Sequence, residues 1–114
     1  MVTILLPAYN EEKSLPELFP KLQRILEDLG QPYRIVICND GSDDKTANLL
    51  EQYSAKVPIE VIQHKINRGL GETSRDLFEF GAETSGPDDI IIRMDCDDTH
   101  DPKYIPEMIK KLDE

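Results

Sequence analysis

Basic residues are scarce in this chain. Thirteen Lys and Arg stand against 23 Asp and Glu, a net charge of −10 over 114 residues. Binding a nucleic-acid backbone needs clustered Lys and Arg, so nucleic acid is excluded as a partner. A small anionic ligand is not, provided a cation mediates the contact. Apolar runs are all short. None approaches the roughly 20 residues of a membrane span, and Met1-Val2-Thr3 lacks the charged start of a secretory signal. The two cysteines, Cys38 and Cys96, form no C-x-x-C pair and read as free buried thiols in a reducing cytosol. A cytoplasmic protein is therefore expected. Internal repeats, low-complexity tracts and linkers are also absent, which leaves one domain over residues 1–114.

What is present looks globular, with 39% hydrophobic and 32% charged residues. Four β-branched runs predict strands: 2–6, 33–38, 59–62 and 90–94. The first, second and fourth are nearly continuous, as strands covered on both faces are. Between them lie helical patterns. The first carries Leu15, Leu18, Leu22, Ile25, Leu26 and Leu29 and stops at Gly30. Ser14 and Glu17 fit a capping box, and Pro20 requires a kink or a late start. The second helix is expected from Asp43 or Asp44, burying Leu49, Leu50 and Tyr53. The third is expected from Gly71 to Ser85 with Leu77 and Phe78 inward. The fourth is expected from Pro102, burying Ile105, Met108, Ile109 and Leu112. Strand–helix alternation four times over implies a parallel sheet with right-handed crossovers.

In such folds ligands bind beyond the carboxyl ends of the strands. Three of the four turns there are acidic: Asn10-Glu11-Glu12, Asp40 to Asp44, and Asp95-Cys96-Asp97-Asp98. Acids gathered on one edge repel unless a cation sits among them. Alternation along an extended segment sends Asp95 and Asp97 to one side, where two hard oxygen ligands suit Mg²⁺ or Mn²⁺ beside substrate phosphates. Each turn also has a plainer reading. Asp95 and Asp97 can be solvated residues capping the fourth helix, Glu11 and Glu12 can favour a helix N-terminus, and Asp40-Gly41-Ser42 can be an ordinary turn. His64 and His100 read as surface or capping residues. Gly69-Leu70-Gly71 follows the third strand rather than the first, so it is no dinucleotide fingerprint; it permits tight entry into the third helix.

Taken in order, L-P-A-Y-N-E-E at 6–12, N-D-G-S-D-D-K-T at 39–46, N-R-G-L-G at 67–71 and M-D-C-D-D-T-H-D-P at 94–102 resemble family-2 glycosyltransferases. The finer likeness, carried by 69–71 and 95–107, is to dolichol- or polyprenyl-phosphate mannose synthases. The resemblance implies an α/β fold of Rossmann-like GT-A type, a three-layer sandwich with a mainly parallel four-stranded sheet. It implies a glycosyltransferase donor domain that binds a nucleoside-diphosphate sugar (GDP- or UDP-sugar) through a divalent metal. Pro7, Ala8, Tyr9 and Glu11 would line the nucleoside pocket, with Glu11 accepting from the ribose. Asp40 would accept from the base, Cys38 and Cys96 would contribute main-chain contacts, and Asp95 and Asp97 would hold Mg²⁺ or Mn²⁺. A lipid phosphate at the membrane surface is the implied acceptor.

Family members carry a further stretch that supplies the acceptor site. The chain is therefore expected to be the donor half, incomplete for transfer, with an open sheet edge that invites pairing into a homodimer. Two rival readings stand beside this. One is a nucleotide-binding domain without transferase activity. The other is a receiver-type signalling module, which would want acids directly after the first strand, where this chain has Pro7.

Overall fold

The computed structural model describes residues 1–95 and 104–113, with side chains as far as residue 110. Eight elements alternate along the chain: β1 (Val2–Ala8), α1 (Leu15–Asp28), β2 (Tyr33–Asp40), α2 (Thr46–Ser54), β3 (Ile59–His64), α3 (Leu70–Thr84), β4 (Ile90–Arg93) and α4 (Ile105–Asp113). The strands form one sheet in the order β3-β2-β1-β4, and every pairing is parallel. From β1 the chain steps outward to β2 and β3, then crosses back to β4 on the other side of β1. Right-handed crossovers with that reversal must put α1 and α2 on one face and α3 on the other.

The period-2 alternation of the strands then separates two cores. Val2, Ile4, Leu6 and Ala8 of β1, with Ile35 and Ile37 of β2 and Ile92 of β4, pack against α1, α2 and α4. Leu5, Val36 and Cys38 pack against Leu77 of α3 on the opposite face. α1 presents Leu15, Leu18, Phe19, Leu22 and Leu26, a stripe spaced at three and four residues. Phe19 stacks on Tyr53 of α2 with ring centroids 4.5 Å apart.

Several expected details change. The capping box does not form: Ser14 is itself helical and makes no side-chain cap bond. α1 does not start late but begins at Leu15, ahead of Pro20. It runs through, and since proline has no N–H, only the carbonyl of Pro16 loses its helical donor. α2 begins at Thr46 rather than Asp43 or Asp44, because the Asp44 carboxylate accepts the Thr46 amide at 2.9 Å from ahead of the helix. Leu50 is buried, while Leu49 and Tyr53 pack half-buried at the margin. On α3 the inward positions are Thr73, Leu77 and Gly81, with Phe80 beside them. Phe78, one residue past Leu77 and so about 100° around the helix, is 47% exposed. α4 buries Ile105 and Ile109 but leaves Met108 46% exposed. Pro102 and the side chain of Leu112 lie outside the described residues. Among the described residues no helix is long and apolar enough to cross a membrane.

Candidate functional site

A parallel sheet whose strand order reverses at β1 leaves a crevice beyond the carboxyl ends of its strands at that point. The chain has a cleft of about 330 Å³ there. Pro7, Ala8, Tyr9 and Glu11 wall it from the turn after β1, and Asp40 from the end of β2. Asn67, Gly69, Leu70 and Thr73 wall it from the entry to α3, and Asp95 from beyond β4. The expected Pro7, Ala8, Tyr9, Glu11, Asp40 and Asp95 are thus brought together. Residues 67–71 were read from the sequence as one of the four family motifs and as a helix entry, with no site role for any of them or for Thr73.

The first two turns are tied to one another rather than to the strands alone. Asn10, at a positive φ of 51° that asparagine tolerates, donates its amide to Ser42 Oγ (2.9 Å) and accepts the Asp43 amide on its own Oδ1 (3.0 Å). The Glu11 amide donates to Thr46 Oγ1 at 2.8 Å, and the Glu12 amide to Asp44 at 3.3 Å. Burial raises the affinity of Asp44 for a proton. Hydrogen bonds from Thr46 and from the Glu12 amide outweigh it and hold the carboxyl below its ordinary value. So the acids of N-D-G-S-D-D are shared between two uses: Asp44 fixes the turns and Asp40 faces the cleft.

Asp40 is also the pin for the third turn. Its Oδ1 accepts the Arg68 amide at 2.8 Å and its Oδ2 the Gly69 amide at 2.9 Å. The same close approach explains two glycines. Gly41 has φ +68°, and a Cβ there would meet the backbone of Ile66 and Asn67. Gly69 turns the chain into α3 with φ +94°.

His64 is not a surface residue. The parallel register sets it directly beside Asp40, and it is only 5% exposed. Its two ring nitrogens lie 2.7 Å from Asp40 Oδ1 and 2.7 Å from Asp76 Oδ2. A neutral imidazole has one N–H and can serve one carboxylate; serving both requires the imidazolium. The hydrogen bond to Asp40 raises the His64 pKa, burial opposes, and the bond to Asp76 adds to the rise, for a net shift upward. Burial also penalises the Asp40 anion, yet the bonds from His64 and the two amides leave its carboxyl below the ordinary value. Cys38 does not reach the cleft wall. Its Sγ lies 3.6 Å from His64, buried on the α3 face, and burial pushes the thiol up to about 11, so it stays protonated and inert.

Sequence reading missed His64 and Asp76 because both are polar. The signal was there: period 2 from Ile62 puts His64 on the α3 face, and the helical interval from Thr73 puts Asp76 near it.

Asp95 stands on the cleft wall, 3.5 Å from the Arg93 guanidinium. Its intended partner Asp97, together with Cys96, Thr99 and His100, lies outside the described residues. Among the described residues no three His, Cys, Asp or Glu side chains gather into a metal site. Of the two expected metal ligands the described one, Asp95, is a hard carboxylate on the cleft wall. That chemistry fits Mg²⁺ or Mn²⁺ sharing its shell with ligand phosphates, not an all-protein cage.

Solved structures similar to this chain include Staphylococcus aureus TarS 1–349, at 22% identity and TM-score 0.70, covering 98% of this chain and 32% of that one. TarS 1–349 in complex with UDP-GlcNAc matches at 23% identity and TM-score 0.73, and a further structure of TarS at 23% and 0.72. The chain spans about a third or less of the length of these structures: 32%, 31% and 19%. The shared fold is the Rossmann-like GT-A type with its parallel sheet. A family model described as glycosyl transferase family 2 matches residues 3–114, nearly the whole chain, and the chain belongs to that family.

Proposed function

We propose that this domain binds a nucleoside-diphosphate sugar in the cleft and presents it for glycosyl transfer. The observation that carries the reading is the convergence of described residues from each of the four motifs, Pro7 to Glu11, Asp40, Asn67 to Leu70 and Asp95, on one cleft at the strand reversal. Uridine is the nucleoside we favour, because a similar structure holds UDP-GlcNAc and another holds UDP.

His64 and the amides of Arg68 and Gly69 hold Asp40 in place on the cleft wall, where it would accept from a base N–H. Tyr9 and Pro7 would flank the base, and Glu11 would accept from the ribose. Asp95 and Asp97 would hold Mg²⁺ or Mn²⁺, which when bound neutralises charge on the diphosphate leaving group. A polyprenyl phosphate as acceptor rests on the sequence likeness of residues 69–71 and 95–107 to lipid-phosphate mannose synthases. Donor and acceptor must be held in near-attack geometry for transfer.

Calorimetry with UDP, GDP, CDP and dTDP sugars, with Mn²⁺ and with EDTA, tests the reading. UDP-sugar binding is expected to be tightest and to weaken at least tenfold in EDTA, and Asp95→Ala should abolish the metal dependence. Equal affinity for all four with and without metal would sink both the nucleotide and the metal assignment. Labelled UDP-sugar with Mn²⁺ and a polyprenyl phosphate then asks whether glycolipid forms.

A further inference from the structure

The polar chain Asp76–His64–Asp40 lies directly behind the cleft. His64 ends β3, Asp40 ends β2 and Asp76 belongs to α3. Asp40 in turn accepts the amides of Arg68 and Gly69, which open the segment that walls the cleft. A single imidazole thus joins α3, two strand ends and the cleft loop.

We propose that His64 is a positioning residue for ligand binding: as an imidazolium donating to both carboxylates it clamps Asp40 to Asp76 and holds the 67–70 loop against the cleft. The inference rests on the nucleotide reading above for its ligand, but not for its clamp. If the ring loses its proton to solvent, one N–H remains for two carboxylates. Asp40, 3% exposed, or Asp76 must then go without its partner. Asp40 keeps the amides of Arg68 and Gly69 but loses its tie to α3, so the carboxylate and the two amides it holds can shift together.

The groups that face His64 are few. β2 contributes Asp40 and Cys38, α3 contributes Asp76, and the loop after β3 contributes Arg68, whose charge opposes protonation. Both carboxylates favour the proton. Cys38, pushed up to about 11, stays neutral throughout and does not compete.

Two readouts on the intact chain test the clamp. In ¹⁵N NMR, His64 should show both ring nitrogens protonated at pH 7, and the Arg68 and Gly69 amides should shift with the same midpoint as the ring. Asp76→Asn should lower that midpoint. In calorimetry, UDP affinity with Mn²⁺ should be level below the midpoint and fall about tenfold or more above it. Asp76→Asn should move the fall to lower pH, which separates it from ionisation of UDP itself. His64→Gln, uncharged and with one donor group, should bind weakly at every pH and lose the limb. Should that variant not fold, the parent and Asp76→Asn series suffice. Loop amides that ignore the His64 titration, or an affinity limb that Asp76→Asn leaves unmoved, would overturn the proposal. A parent chain that binds no nucleotide at any pH defeats the uridine reading alone, because the loop amides still decide for or against the clamp.

Discussion

The two faces of the sheet are built on different principles. On the face of α1, α2 and α4 a large apolar core runs from Val2 and Phe19 through Leu26 to Ile109, with the buried polar Asn39 and Thr46 at the carboxyl end of the strands. On the α3 face the buried apolar cluster is small: Leu5, Val36, Cys38 and Leu77. Polar networks bracket that small cluster at both ends. At the amino-terminal end of the strands, Arg34 donates to Thr3 at 3.0 Å and to Thr84 at 2.6 Å, and stands 5.7 Å from the Phe80 ring. At the carboxyl end His64 joins Asp40 and Asp76. Dispersion and the hydrophobic effect are indifferent to pH; networks of buried charges are not. The first face should therefore carry the fold, and the second should set the position of α3 and of the cleft loop it leads from.

The largest expected effect lies on the dry face. Phe19 is 1% exposed, in contact with the α1 stripe and stacked on Tyr53. Phe19→Ala should lower stability by about 3–5 kcal/mol, the range for a buried Phe truncated to Ala, a large share of what a domain this size holds. Urea denaturation measures it. A loss under about 1 kcal/mol would mean that this face collapses freely around the gap, and the contrast between the faces would fail.

Legibility followed the same division. The four strands, their parallel pairing and the α1 stripe could be read from the sequence because apolar periodicity is the signal of a dry interface, and Leu15 to Leu26 sit where that period puts them. The cleft residues of the first two turns and Asp95 were legible because they follow strands. The α3 face was legible only in part, for Leu77 sits inward as expected. Phe78 drew an inward assignment by hydrophobicity alone, although the Thr73–Leu77–Gly81 row beside it marks the true inner face. His64 drew an outward one by polarity, although the register with Asp40 decides otherwise. Polar residues enter a core in pairs or triads, and a single sequence does not name the partners.

The second prediction is smaller and sharpens the contrast through pH. The folded pKa of His64 is raised above its ordinary 6.5. Its contribution to stability is then fully present below 6.5 and lost as pH rises through the folded value. The folded pKa of Asp40 is depressed below 3.8. Its contribution is present above 3.8 and lost as pH falls through the lower folded value. A plateau bounded by an acid and an alkaline limb follows. The height of each limb reports how far that group's pKa moves on folding. Urea midpoints measured from pH 3 to 9 (roughly the span of these ordinary values) report both. His64→Gln should remove the alkaline limb and leave the Phe19→Ala loss unchanged, since the two sites lie on opposite faces. An alkaline limb that survives His64→Gln would place its origin elsewhere.

The smallest effect separates two neighbours on one helix. Phe80 packs half-buried against the Leu5–Val36–Cys38–Leu77 cluster, with Arg34 over its ring. Phe78, two residues earlier, points some 160° away on an ideal helix and is 47% exposed. Truncating Phe80 removes apolar contacts and uncovers the Arg34 network, so Phe80→Ala should cost at least about 1 kcal/mol, near the centre of the distribution for point substitutions. Phe78→Ala loses little that folding had buried. Alanine is also the better helix former, by a few tenths of a kcal/mol, which offsets what contact there is. Its stability should stay within about 0.5 kcal/mol of the parent, as surface substitutions do. Paired urea curves for the two variants provide the comparison. A Phe78→Ala loss as large as that of Phe80→Ala would mean that Phe78 is covered in solution, and that the α3 face carries more apolar packing than its four buried side chains account for.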